Sequence, residues 1–506
     1  MMAAKAITEG MPLSSLLEGI FSIVPDEDLY ITGISLDSRT IKPGDLFIAC
    51  GSGSNNGIQY IDDAIKAGAI AVIVEVGCLP ETVNYKVPVF NVEKLDTKTG
   101  IIAGHFYGQP SSELTIAGIT GTNGKTSVSY LLAQALSVDC KQDCGLIGTL
   151  GYGSVKDLVP GPHTTPDPVT LQHLLADMRD QGFSNVVMEV SSHGLDQHRI
   201  AGVDFDLAVF TNLSRDHLDY HKDLAEYADA KKKFFTDYSV SKAVLNLDDE
   251  LGRSILDVLD KKINTIAYTL VGDKDHSCQK SVPTITGQIK AGLSRKMVLE
   301  LKTPWGDGFL ESRLFGKFNA YNLMACVASL CLLGIPLNET LKRLSSCGYI
   351  PGRMEYYGGE ETPQVIVDYA HTPDALEQML QALKAHCHGK LFCVFGCGGD
   401  RDKGKRSQMG MIAQRYADFI ILTNDNPRTE DPALIIQDIM EGIPNQGMTK
   451  VMIDRTEAIR EAINMAGRDD IVLIAGKGHE TYQEIGCVRH PFSDQSVVLE
   501  ALESNT

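Results

Sequence analysis

The chain has 506 residues, and at about 150 residues per domain that is room for roughly three domains. This excludes a single small module and a miniprotein held together by disulfides. With 46 Lys and Arg against 65 Asp and Glu, the formal charge is −19, so the surface offers no electrostatic footprint for nucleic acid.

Residues 1–10 have neither the apolar core of a signal peptide nor the Arg- and Ser-rich composition of a transit peptide. Up to about residue 95 the apolar runs are short. Residues 46–50 (LFIAC) and 69–76 (AIAVIVEV) are predicted strands, with residues 60–68 as a helix between them, which makes a small α/β domain. A connecting helix is predicted over 96–110, ending at Gly108-Gln109-Pro110.

The middle of the chain alternates strands and helices. Strands are predicted at 114–119, 185–190, 205–210 and 242–247, and each runs into a polar segment at its C-terminal end. Ligands of open parallel sheets bind at that edge. Residues 270–315 carry less helical signal and are predicted as an antiparallel insertion, followed by a buried helix from Asn319 to Gly334. This apolar stretch is too short to span a bilayer. Beyond about residue 348 the alternation restarts with apolar runs at 364–370, 390–397, 417–425 and 470–478. The expected architecture is α/β in three domains: 1–95, a central mononucleotide-binding domain with a parallel sheet at 96–348, and a Rossmann-like domain at 349–506.

The twelve cysteines are scattered through apolar contexts, as expected of free thiols in a reducing compartment, so a cytoplasmic protein is predicted. His386, Cys387, His388, Cys393 and Cys397 fall close together, but no second Cys-x-x-Cys pair supports zinc, and 391–397 reads as a buried strand.

The strongest motif is Gly121-Thr122-Asn123-Gly124-Lys125-Thr126-Ser127, between a predicted strand and a predicted helix. Its glycines let backbone N–H groups wrap phosphate oxygens, and the helix N-terminus adds partial positive charge. Lys125 suits the phosphates and the Thr126 hydroxyl suits Mg²⁺. Ile119 stands where the strict pattern has glycine, so the loop is a variant. Glu189 ends the next strand beside this loop, placed for a hard cation. His217, in Asn212-Leu213-Ser214-Arg215-Asp216-His217, ends the strand after that. Taken alone, Glu189 reads equally well as structural, and a lone His at position 217 is more often structural. Of Lys231, Lys232 and Lys233, the last two are read as a solvated face.

The last third carries Asp368-Tyr369-Ala370-His371, then Gly398 to Arg406 with four basic residues in seven positions, then Asp425-Asn426-Pro427-Arg428 and Gly476-Lys477-Gly478-His479-Glu480. Acidic and basic groups together suit a zwitterion such as an amino acid, and arginine is suited to hold its carboxylate.

These motifs, with Gly316 to Asn322 and Pro351 to Glu355, resemble the Mur ligases, ATP-dependent amide-forming enzymes of peptidoglycan synthesis, over nearly the whole chain. Asp425-Asn426-Pro427-Arg428 marks the type that adds meso-2,6-diaminopimelate. The resemblance implies that a glutamate carboxylate of UDP-N-acetylmuramoyl-L-alanyl-D-glutamate is phosphorylated by ATP to an acyl phosphate, which the diaminopimelate amine then attacks.

The resemblance also implies roles. Gly121 to Ser127 would cradle ATP, with Asn319, Asn322, Arg353 and Asp368. Thr126, Glu189 and His217 would surround Mg²⁺, together with Lys231 as a carbamate; Lys125, Lys231, Glu189 and His217 would be the catalytic set. Leu36, Ser38, Thr164, Thr165, Ser191, Gln197 and Arg199 would bind the UDP-sugar dipeptide. Arg401, Asp425, Asn426, Pro427, Arg428, Gly476 and Glu480 would bind diaminopimelate. Two positions depart from the family pattern in the sugar-nucleotide site: His163, and Asn56-Gly57-Ile58. The partners implied are small molecules, with neither nucleic acid nor membrane insertion, and the protein is expected to be a monomer. Rival readings are a lysine-adding Mur ligase, a folylpolyglutamate synthase and a catalytically silent scaffold. The motif at 425–428 opposes the first, that motif and the first domain oppose the second, and intact Lys125, Glu189 and Lys231 with the acidic net charge oppose the third.

Overall fold

The computed structural model describes residues 10–21, 28–50, 57–79, 84–137, 143–271, 282–290, 297–359 and 361–504. Asn56, one of the departures noted above, lies outside them. Among the described residues the chain builds three substantial sheets. The first has four parallel strands in the spatial order Gly33–Ser35, Asp45–Ala49, Ala71–Glu75 and Val89–Val92. Both faces are covered, which is why its strands read as unbroken apolar runs. Leu46, Ile48 and Ile73 pack on one side with Leu95, Ile102, Ala103 and Phe106, whereas Phe47, Val72 and Val74 pack on the other with Ile61 and Ala64 of helix Ile61–Ala67. The connecting helix spans Leu95–Phe106, and a short 3₁₀ turn at Pro110–Ser112 follows it.

The central sheet has eleven strands. Seven run parallel in the order Gly145–Gly148, Asn185–Glu189, Thr115–Thr120, Leu207–Phe210, Lys242–Asn246, Asn264–Leu270 and Thr284–Lys290. The first strand in sequence thus lies between the two that follow it with motifs, and this topological switch brings three motif loops side by side. The stretch at 270–315, expected to be an antiparallel insertion, forms the edge of this same sheet and is antiparallel in its last two strands. Thr284–Lys290 joins in parallel, and Met297–Thr303 and Gly306–Ser312 continue antiparallel. Leu299, Leu301 and Leu310 alternate into the core against helix Lys317–Leu332, while Phe309 is exposed. Only one face needs covering, so no helices intervene.

The third sheet has six strands in the order Glu355–Tyr357, Gln364–Asp368, Ile471–Ala475, Leu391–Phe395, Phe419–Leu422 and Thr449–Val451, all parallel but the first. Helices Pro373–Lys384, Gly404–Tyr416 and Pro432–Met440 cover one face, and Arg455–Met465 and Asp494–Ser504 the other. A hairpin of Tyr482–Ile485 and Val488–Pro491 leans on the loop after Phe419–Leu422 through an Arg428–Ile485 bridge. Cys393 and Cys397 are buried in the apolar core of this domain, and the ten described cysteines are all free. Among the described residues no three His, Cys, Asp or Glu form a metal-holding group, and no helix is long and apolar enough to cross a membrane.

Leu323 is buried on helix Lys317–Leu332 at the centre of the largest apolar cluster. Truncation there leaves a cavity that a close-packed interior closes only in part. Leu323→Ala is expected to lower unfolding free energy by about 2–5 kcal/mol, read by chemical denaturation with unchanged m-value.

Candidate active site

The phosphate loop joins strand Thr115–Thr120 to helix Lys125–Ser137. Gly121 has φ of +146°, and a Cβ there would lie 1.9 Å from the Thr211 hydroxyl oxygen. The loop therefore packs directly on the neighbouring strand's end, with room only for glycine. Lys125 folds back so that Nζ donates to the carbonyls of Gly121 (2.9 Å) and Thr122 (3.0 Å). Lys231, from helix Leu224–Thr236, donates to the same Gly121 carbonyl at 2.9 Å. Neither ammonium has a carboxylate within ion-pair distance among the described residues. Burial is the largest influence on both and pushes both below the ordinary lysine range; each also faces a nearby cation, Arg353 for Lys125 and Lys125 for Lys231. Lys231 is 1% exposed and also lies 4.2 Å from the centre of the Tyr227 ring.

Beside these cations, Glu189 is buried and accepts from the Thr126 hydroxyl (3.0 Å), the Thr149 hydroxyl (3.2 Å) and the Thr149 N–H (2.8 Å). His217 sits in the left-handed region at φ +56°, with Nε2 3.5 Å from Asp216. Burial, aided by Lys125 and Lys231, depresses its pKa to about 3, so its ring is neutral with a lone pair to give. A hydroxyl and a carboxylate fit the oxygen-donor preference of Mg²⁺, whereas a neutral imidazole is a softer nitrogen donor that fits it less well. Lys231 as an amine does not fit it, but its depressed basicity is what reaction with CO₂ requires.

The next domain faces this loop. Arg353 Nη2 donates to the Thr126 hydroxyl at 3.2 Å, its guanidinium stacks 4.5 Å from the Tyr369 ring centre, and its buried Nε has no partner. Asp368 accepts from the N–H groups of Met354 and Ala370, 2.8 Å each, which pins the segment carrying Arg353 to its strand end. Asn123 Nδ2 donates to Asp374 across the same boundary at 2.9 Å. Between the domains lies a cleft of about 280 Å³, lined by Asn123, Gly124, Ser127, Asn319, Asn322, Arg353 and Asp368. Phe318, Met354 and Met379 line it too, an apolar element suited to a planar base that sequence reasoning missed. The signal was the proximity of Phe318 to Asn319 and the helix after Asp368.

The residues expected around the UDP-sugar dipeptide fall in two places. Thr164, Thr165, Ser191, Gln197 and Arg199 form one network beside Glu189. Thr164 and Thr149 hydroxyls lie 3.1 Å apart, Thr165 donates to the Glu189 carbonyl (2.8 Å), and the Ser191 hydroxyl accepts from the Gly194 N–H (3.1 Å). Arg199 donates to the Thr165 carbonyl (2.7 Å) and to Gln197 (3.0 and 2.7 Å). Leu36 and Ser38 follow strand Gly33–Ser35 in the first domain. His163 offers its backbone carbonyl to the Tyr152 hydroxyl.

At the C-terminal edge of the third sheet the motif loops converge. Asn426 is wholly engaged within the protein. Its Nδ2 donates to Glu480 (2.9 Å) and its Oδ1 accepts from Lys477 Nζ (3.0 Å) and the Glu484 N–H (2.9 Å). Lys477, fully buried and absent from the expected set, also pairs with Glu480 at 2.7 Å. Arg428 donates to the Gly399 carbonyl (2.7 Å) and lies 3.4 Å from Glu484, held at φ +50° by the hairpin; Pro427 is the residue before it. Gly476 has φ +114°, and a Cβ there would lie 2.5 Å from an Asp425 carboxylate oxygen. Arg401 lies 3.6 Å from Asp219 of the central domain, and Arg215 holds Asp402 with Nε (3.1 Å) and Nη2 (3.3 Å). This edge of the third sheet is thereby tied to the loop that carries His217.

Residues 30–107 match the family model described as "Mur ligase family, catalytic domain", 119–330 that of the "Mur ligase middle domain", and 352–478 that of the "Mur ligase, glutamate ligase domain". A UDP-N-acetylmuramoyl-L-alanyl-D-glutamate–2,6-diaminopimelate ligase of Coxiella burnetii is 48% identical over 475 residues, 94% of this chain and 96% of that protein. The chain belongs to the Mur ligase family. A protein of the same name from Pseudomonas aeruginosa is 47% identical over 93% of this chain and 94% of its own. A solved structure of a ligase so named aligns with TM-score 0.69 and 36% identity over 98% of this chain and 99% of that one. The Mycobacterium tuberculosis folylpolyglutamate synthase, solved with ADP and AMPPCP, shares the fold over 75% of this chain and 92% of its own (TM-score 0.61, 18% identity).

In this Mur ligase His193 and His479 are, like His217, half-buried, and loss of solvation is the largest cause that lowers their pKa, each to about 4. Their unfolded values lie near 6.5, so between about 4 and 6.5 the unfolded chain binds more protons. The stability gained by keeping them neutral is complete above that window and is lost as pH falls through it. Thermal melts are expected to show a lower midpoint at pH 5 than at pH 7.

Proposed function

We propose that this Mur ligase joins meso-2,6-diaminopimelate to UDP-N-acetylmuramoyl-L-alanyl-D-glutamate at the expense of ATP, for peptidoglycan precursor synthesis. The observation that carries the reading is the convergence of Lys125 and Lys231 on one carbonyl. Lys125 there is a cation at the head of the loop, placed for a phosphate chain, and the buried Lys231 amine, pushed toward its neutral form, is placed to become the carbamate. The opposed pocket of Arg428, Asp425 and Glu480 has the mixed charge of a zwitterionic amino acid. The close relatives carry the same activity in their names.

A carboxylate is a poor electrophile, so the glutamate side-chain oxygen first attacks the γ-phosphorus of ATP and ADP leaves. The free amine of diaminopimelate then attacks the acyl carbon, loses a proton and expels phosphate, leaving an amide. Lys125 and Arg353 are placed to offset the repulsion between two anions. Mg²⁺, held by Thr126, Glu189, His217 and the carbamate of Lys231, would supply charge neutralisation on the transferred phosphoryl group. Asn319 and Asn322 face the nucleotide with Phe318 and Met379. Leu36, Ser38, Thr164, Thr165, Ser191, Gln197 and Arg199 hold the sugar-nucleotide dipeptide. The same reading keeps the domain limits at 1–95, 96–348 and 349–506, and a cytoplasmic monomer, for which free thiols and ATP dependence are the support.

Diaminopimelate exceeds lysine by one carboxylate. The Arg428 guanidinium, half-buried, docked on the Gly399 carbonyl and 3.4 Å from Glu484, is placed to take it, a contact that lysine has no group to make. Phosphate release is expected to require ATP, Mg²⁺, the dipeptide nucleotide and meso-diaminopimelate. Equal rates with L-lysine would reject this reading. Arg428→Ala is expected to cost about 2–5 kcal/mol in kcat/KM for diaminopimelate. Lys231→Ala is expected to lose activity and to regain part of it with added formate or acetate, measured by ADP release.

A further inference from the structure

The two loops that frame the amino-acid pocket share one buried support. Arg455 is the first residue of helix Arg455–Met465, and Asp494 is the first of helix Asp494–Ser504. Both side chains are fully buried. Arg455 Nε and Nη2 donate to the two carboxylate oxygens of Asp494 at 2.7 and 2.8 Å. The same guanidinium donates from Nη2 to the Ala475 carbonyl (3.0 Å) and from Nη1 to the Asn424 carbonyl (3.2 Å). Ala475 ends its strand immediately before Gly476-Lys477-Gly478, and Asn424 immediately precedes Asp425-Asn426-Pro427-Arg428.

A buried ion pair is a costly way to hold two helices together. Around it this face of the sheet is packed with Ala458, Ile459, Val497 and Val498, and an apolar pair of similar volume would serve cohesion as well. An apolar pair cannot donate to two strand-end carbonyls at a set separation. The planar fork of arginine can, and Asp494 fixes the plane of that fork. Asp425 and Glu480 lie within electrostatic reach of the guanidinium and favour its charged form.

We propose that Arg455, clamped by Asp494, is a positioning residue for the incoming amino acid: it sets the spacing between the loop of Asp425 and Arg428 and the loop of Gly476 and Glu480. It touches no substrate. The inference deepens the diaminopimelate reading of this pocket and rests on it.

The test compares steady-state KM values for ATP, the dipeptide nucleotide and diaminopimelate in wild type, Arg455→Lys and the exchange Arg455→Asp with Asp494→Arg, alongside thermal melts. Lysine keeps the charge and loses the fork. Arg455→Lys is expected to raise KM for diaminopimelate by about 10–100-fold, as loss of a supporting shell does elsewhere, with the other two KM values within about twofold. The exchange is expected to recover the melting temperature without recovering that KM. Equal movement of all three KM values, or recovery of KM and melting temperature together in the exchange, overturns the proposal. Where either variant fails to fold, Asp494→Asn takes its place, keeping volume while freeing the fork to turn, with the same split expected. A wild type that uses a different amino acid revises the reading of the pocket, and the KM split measured with that amino acid still decides the role of Arg455.

Discussion

Lys125 and Lys231 meeting at the carbonyl of Gly121 is the arrangement on which the site depends. Two ammonium groups drawn out of water beside each other disfavour each other's charge, which an anion at the site or loss of the Lys231 charge relieves. The chain accepts this arrangement because four elements enforce it. Strand Thr115–Thr120 and its glycine loop present the carbonyl, helix Lys125–Ser137 carries one cation, and helix Leu224–Thr236 carries the other. Phe234, on the same helix as Lys231 and one turn away, is buried against Phe205 with ring centres 4.9 Å apart, so Lys231 cannot swing out to solvent without unpacking core.

The same economy of scaffold runs through the C-terminal domain. Its sheet edge presents Asp368, Asp425, Arg428 and Gly476 from successive strand ends, and each is restrained by a partner behind it. Asp368 holds the Met354 and Ala370 amides, Asn426 is occupied by Lys477 and Glu480, and Arg428 is docked on Gly399. Rigid placement of a few charged groups is what selects one zwitterion from another. The Arg215–Asp402 and Arg401–Asp219 pairs connect this edge to the loop carrying His217, so phosphoryl and amino-acid chemistry share one frame.

Much of this was legible before any coordinates. Glycine, lysine and threonine between a strand and a helix predict a phosphate loop because only backbone amides and a flexible cation serve that purpose. The alternation of apolar runs with polar strand ends predicts parallel sheets. Where reading by sequence fell short, the reason was loss of local signal. The stretch at 270–315 has alternating rather than continuous apolarity, which marks a half-covered strand but not the sheet it joins. Phe318 and Met379 read as ordinary core residues. Lys477 read as one more basic loop residue until its burial between Asn426 and Glu480 was visible.

The amino-acid sequence by itself determined the α/β class and the family and named candidate residues for the chemistry, because those are set by local pattern and by which side-chain types a reaction needs. Only the tertiary structure decided which groups meet. That Lys231 meets Lys125 at the Gly121 carbonyl, that Asn426 is bonded to Lys477 and Glu480, and that Arg455 spans two loops some fifty residues apart in the chain all depend on burial. Desolvation makes each of these charges demand a particular partner, and the partner is chosen by the packing of distant elements.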